Sequence, residues 1–66
     1  MYILTDEPGG GRQADAFGAL DNAFGTEEFS EGQAITVISN GLECGPNEAA
    51  SILSRLVSGG HVSETD

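Results

Sequence analysis

Apolar residues recur at helical spacing in three separate stretches of the chain. Phe17, Leu20 and Phe24 lie three and four residues apart, with Ala16 and Ala23 beside them and Asp15 and Asp21 on the other side. This predicts an amphipathic helix from Arg12 to about Phe24. Ile35, Ile38 and Leu42, with Ala34 alongside, predict a second helix. Ala49, Ile52, Leu53, Leu56 and Val57 form the most continuous stripe and predict a third. Two short β-prone runs flank the helices, Tyr2 to Thr5 and His61 to Thr65.

The punctuation between these stretches is consistent with them. Gly25 ends the first helix, and Ser30 followed three residues later by Gln33 is a capping box for the second. Phe29 before that cap and Ala34 after the first turn form a hydrophobic staple. Asn40-Gly41 predicts the end of the second helix, with Leu42 folding back on it. Pro46 opens the third helix, with Glu48 towards its positive end and Arg55 towards its negative end, both in the favourable sense. Gly59-Gly60 closes it. Gly18, inside the first helix, costs roughly 1 kcal/mol against Ala unless it permits a close helix crossing.

Asp6 to Gly11 breaks the first β-prone run. A Gly-rich loop before a helix invites comparison with phosphate-binding loops, but neither GxxxxGK with Ser or Thr nor GxGxxG after a strand is present. The loop is therefore read as a flexible linker. Residues 1–11 are taken as an N-terminal strand and linker, and residues 12–66 as the helical unit of a single domain.

From Leu42 to Val62 the chain reads LECGPNEAASILSRLVSGGHV. Leu42 and Cys44 are apolar, Pro46 opens a helix, Leu53 and Leu56 lie on its buried side, and Gly60 turns the chain into Val62. This half of the chain resembles the recognition half of winged-helix transcription regulators such as the ArsR and MarR groups. The resemblance implies a mainly α fold with short strands: a three-helix winged-helix-like domain with a truncated wing and an N-terminal strand. It also implies that the exposed face of the helix over 46–58 enters the major groove of DNA. Carried over onto this sequence, the DNA-binding candidates are Asn47, Glu48, Ser51, Ser54 and Arg55. Asn pairs with adenine, Arg with guanine or phosphate, and Ser with either. The bland alternative is that they are ordinary solvated helix residues. The chain departs from the family in having one Arg on this helix rather than several basic residues, and one wing strand rather than two. Tyr2 to Thr5 is a candidate to replace the missing strand by pairing with His61 to Thr65, within one chain or between two.

Charge changes this picture most. Eleven Asp and Glu stand against two Arg and no Lys, a net charge of −9. The three readings are adaptation to a salty cytoplasm (a halophilic, haloarchaeal character), a surface for a basic partner or one that imitates DNA, and a disordered acidic tail. The regular apolar spacing after Arg12 argues against the last. Sixty-six residues build little core, and one Cys makes no internal disulfide. Self-association as a homodimer is the expected source of extra stability. No apolar run approaches the roughly 18 residues of a membrane span, and Met1 to Thr5 lacks a signal peptide's basic flank. A soluble, cytoplasmic protein with no membrane partner is expected.

Little else carries chemistry. Cys44 is read as a small buried hydrophobe, with redox or metal sensing as the alternative. His61 is read as a surface or strand-packing residue, with titration or metal ligation as the alternative. Glu27-Glu28 is read as solvated charge. No catalytic motif, cofactor site or metal site is assigned, and the chain is expected not to be an enzyme. The expectation is a small DNA-binding transcriptional regulator. The alternative is an acidic protein-interaction or dimerisation module, possibly a DNA mimic, that meets a basic protein partner with the same fold.

Overall fold

The computed structural model describes residues 1–65. The elements follow in the order β1 (Tyr2–Leu4), α1 (Gly11–Phe24), α2 (Glu31–Leu42), α3 (Pro46–Ser58) and β2 (Val62–Glu64). The chain is mainly helical, and β1 and β2 form a short antiparallel sheet.

All three helices turn an apolar side inwards. Ala16 and Leu20 come from α1, Ala34 and Ile38 from α2, and Ala49, Ile52, Leu53 and Leu56 from α3. Phe29 and Val62 close the core from the sheet side. Each fully buried large side chain contributes about 1.5–3 kcal/mol. Two positions expected in the core are not there. Ala23 is exposed: Phe24 stacks on Phe29 with ring centroids 4.9 Å apart, which sets the inward side of the last turn of α1 and leaves its neighbour outside. Val57 is 36% exposed, because it lies one residue round the helix from Leu56, at the edge of the stripe.

The α2 cap forms as the sequence predicts. Gln33 N–H donates to Ser30 Oγ (3.1 Å), and Ser30 N–H donates to Gln33 Oε1 (2.9 Å). The end of α2 differs from the expectation. Asn40-Gly41 does not stop the helix, which runs on through Leu42. Glu43 takes the left-handed position at φ 53°, and Cys44 N–H closes back onto Ser39 C=O (3.0 Å). Gly41 is needed elsewhere: a Cβ there would lie 3.1 Å from the Cβ of Ala19. It is Gly41, not Gly18, that permits close approach of two helices, since a Cβ at Gly18 would meet nothing within 4 Å.

The N-terminal strand lies within the same packed unit. On one edge Tyr2 and Phe29 exchange backbone hydrogen bonds (2.7 and 2.9 Å). On the other edge β1 pairs with β2 in the register Tyr2↔Glu64, Ile3↔Ser63, Leu4↔Val62. The ladder extends at both ends, through Thr65 N–H to Met1 C=O (2.7 Å) and Thr5 N–H to His61 C=O (2.9 Å). β1 is thus the middle of three backbone segments. Gly60, at φ +79°, makes the turn from α3 into β2. The loop after β1 is anchored rather than a free linker. Pro8 is buried, Asp6 C=O lies 2.8 Å from His61 Nδ1, and Thr5 Oγ1 donates to Gly60 C=O (2.7 Å).

Candidate functional site

The candidate site is the outward side of α3. Opposite its buried stripe lie Asn47, Ser51, Ser54 and Ser58, all exposed, at successive spacings of four, three and four. The centre of this face is polar and uncharged. Glu48 and Arg55 stand on one flank, seven residues apart, which is two turns or roughly 10 Å along the axis. Ala50 and Val57 stand on the other flank, beside a hollow that Tyr2, Glu31 and Leu53 also line.

The helix is well made for presenting this face. Pro46 fills its first position, Glu48 lies in its first turn and Arg55 in its last. Four buried side chains fix its rotation. The turn before it is stapled by Ser39 Oγ, which donates to Cys44 C=O.

The five candidates therefore share one exposed face, but they are not equivalent. Arg55 has no ion-pair partner among the described residues. Glu48 is not free: Arg12 Nη1, from the first turn of α1, donates to its Oε2. The side chains of that pair are 58% and 50% exposed, so the pair contributes about 0–1 kcal/mol. Its main consequence is electrostatic. It cancels the one carboxylate on α3 and brings both of the chain's basic residues, Arg12 and Arg55, to this side.

The other described carboxylates are Asp6, Glu7, Asp15, Asp21, Glu27, Glu28, Glu31, Glu43 and Glu64; all are exposed and none is on α3. Two reach its border. Glu31 lines the hollow beside Ser54 and Ser58, and Asp15 lines another with Arg12, Gly41 and Leu42. Glu28 accepts a hydrogen bond from Thr65 Oγ1.

Arg12 and Ser58 were missing from the sequence candidates. Ser58 was findable, since it continues the spacing of Asn47, Ser51 and Ser54. Arg12 carried no such signal, because it stands 36 residues from Glu48.

Cys44 is half-buried against the core rather than fully enclosed. His61 is half-buried between the Asp6 loop and the start of β2. Among the described residues no group of three His, Cys, Asp or Glu side chains is placed to hold a metal ion. A shallow, largely apolar hollow between α1 and α2 is lined by Phe24, Gly32, Gln33, Thr36 and Val37. Neither Cys44 nor His61 lines these hollows. Among the described residues no helix is long and apolar enough to cross a membrane. The chain matches no protein-family model, no curated protein and no solved structure.

Proposed function

We propose that this chain is a small DNA-binding protein of the winged-helix type, a transcriptional regulator acting as a homodimer, with α3 as the reading element. One observation carries the reading. In a chain of net charge −9, the outward side of α3 is uncharged along its centre, and its single carboxylate is neutralised by Arg12. A uniformly negative α3 would have favoured the alternative. Asn47 and Ser51, near the helix start, are the base-reading candidates, and Arg55 is the phosphate or guanine contact. The strand arrangement supports the same reading: β1 pairs with the strand that follows α3, where a second wing strand would lie.

So few cations predict an unusual salt response. Two to four phosphate contacts per dimer give a slope of log affinity against log salt of about −2 to −4. The usual 6–10 contacts give a much steeper loss. Between about 0.2 and 3 M KCl such a binder loses roughly two to four decades of affinity, against more than about six for the usual contact number. Gel shifts against genomic fragments from about 0.2 to 3 M KCl test this. Binding with a shallow slope, weakened by Arg55→Ala, is expected; no binding at any salt rejects it. In the complex, the two copies of α3 lie about one DNA turn apart, roughly 34 Å.

The nine described carboxylates away from α3, all exposed, favour a second reading, an interaction module for a basic protein. A nuclease-treated pull-down over the same KCl range separates the two. Recovery of a basic protein with no DNA bound in the gel shifts replaces the first reading with the second.

A further inference from the structure

We infer that Arg12 is a second phosphate contact of the α3 face, held in position by Glu48. This rests on the DNA-binding reading above and adds a residue from a different helix. The guanidinium uses Nη1 alone on Glu48, and Nε and Nη2 make no hydrogen bond among the described residues. Arginine has five N–H donors in a fixed fork, so most of this one is free for a second acceptor. The group is also more than half exposed.

Its position matters as much as its donors. Glu48 brings Arg12 to the flank of α3 that carries Arg55 two turns further on. Without Arg12, a phosphate approaching the first turn of α3 meets a bare carboxylate. With Arg12 tied there, the same approach meets a neutral pair whose exposed guanidinium has unused donors. When the phosphate arrives, the guanidinium shares itself between phosphate and Glu48, or gives up Glu48 altogether. An exposed ion pair is weak enough to allow either. Glu48 is then a positioning residue that also competes for the cation. Asp15, which lines the hollow beside Arg12 without bonding to it, is the natural control.

The experiment measures DNA affinity over a KCl series for the parent chain, Arg12→Gln, Arg12→Lys, Glu48→Gln, Asp15→Asn and the Arg12→Gln/Glu48→Gln double variant, with circular dichroism to confirm equal folding. Arg12→Gln is expected to flatten the salt slope by about 0.9 per protomer, and Arg12→Lys to keep it. Glu48→Gln is expected to raise low-salt affinity by about 1.5- to 5-fold in the Arg12→Gln background, where the carboxylate is bare, and by less in the parent, where Arg12 already neutralises it. If Arg12→Gln leaves the slope unchanged while Arg55→Ala weakens binding, the Arg12 contact is overturned and the DNA reading stands. If Glu48→Gln gives the same gain with and without Arg12, and Asp15→Asn in the parent gives that gain too, the positioning role of Glu48 is overturned. If neither the parent chain nor any variant binds at any salt, both readings are overturned together.

Discussion

Helices α1 and α3 are nearly equal in length, 14 and 13 residues, and each buries an apolar stripe, yet they are held in opposite ways. α3 agrees with its own local rules. It has Pro46 at the start, an acid in the first turn and a base in the last. α1 breaks the same rules. Neither helix has a side-chain cap, but α1 also lacks an acid in its first turn; Arg12 stands there instead, and Asp21 stands in the last. Both charges oppose the helix dipole. Gly18 weakens its middle further. α1 is therefore a helix made by its neighbours, through Ala16, Leu20 and the Phe24–Phe29 stack. The comparison teaches that Arg12 is poorly placed for α1 but well placed for α3, where it meets Glu48. A locally stable α3 leaves its outward residues free to serve recognition.

The largest test removes the core contact of each helix in turn. Leu20 and Leu56 are both fully buried. Leu20→Ala and Leu56→Ala are each expected to cost about 2–5 kcal/mol. That is comparable to the roughly 3–5 kcal/mol that the core of so small a chain supplies. Thermal melts in molar KCl should show both variants largely unfolded near 25 °C. If Leu20→Ala melts within about 1 kcal/mol of the parent while Leu56→Ala unfolds, α1 is a cover over an α2–α3 core and not an equal partner.

A smaller effect is expected from salt alone. The exposed carboxylates lie mostly on α1, the loops and the start of α2, with few basic residues near them. Their mutual repulsion opposes the compact state, and added cations screen it. The melting temperature is expected to rise by more than about 5 °C between 0.1 and 2 M KCl, corresponding to ~1 kcal/mol. A flat or falling curve removes the halophilic reading, and with it the reason for an acidic chain to bind DNA in strong salt.

What was legible in the sequence follows the same division between local and non-local causes. The Ser30–Gln33 box, the Pro46 start and the Gly60 turn are decided within a few residues, and each forms as read. The end of α2 was misread because Asn40-Gly41 is a good local stop, while the contact with Ala19 gives Gly41 a different use. The place of β1 was legible only in part. Its β propensity suggested pairing with the chain after α3, but nothing near Tyr2 announced the exchange with Phe29 across its other edge. The candidate face was legible as a face, since helical spacing alone puts Asn47, Ser51, Ser54 and Arg55 outside. Its electrostatics were not, because the partner of Glu48 comes from another helix.

The smallest expected effects sharpen the comparison by isolating one cause. Gly18 and Gly41 both lie inside helices, and both lose about 1 kcal/mol of propensity against Ala. They differ in surroundings. A Cβ at Gly18 enters open space, so Gly18→Ala is expected to raise the melting temperature by about 4–8 °C. A Cβ at Gly41 stops 3.1 Å from Ala19, so α1 and α2 must move apart by a few tenths of an ångström. That movement disturbs packing all along the contact and offsets the propensity gain. Gly41→Ala is therefore expected to gain nothing, or to lower the melting temperature. If it stabilises as much as Gly18→Ala, the two helices are not held at close contact there. The early end of α2 at Gly41 would then have been prevented by Leu42, which packs half-buried against the core, rather than by the fit against α1.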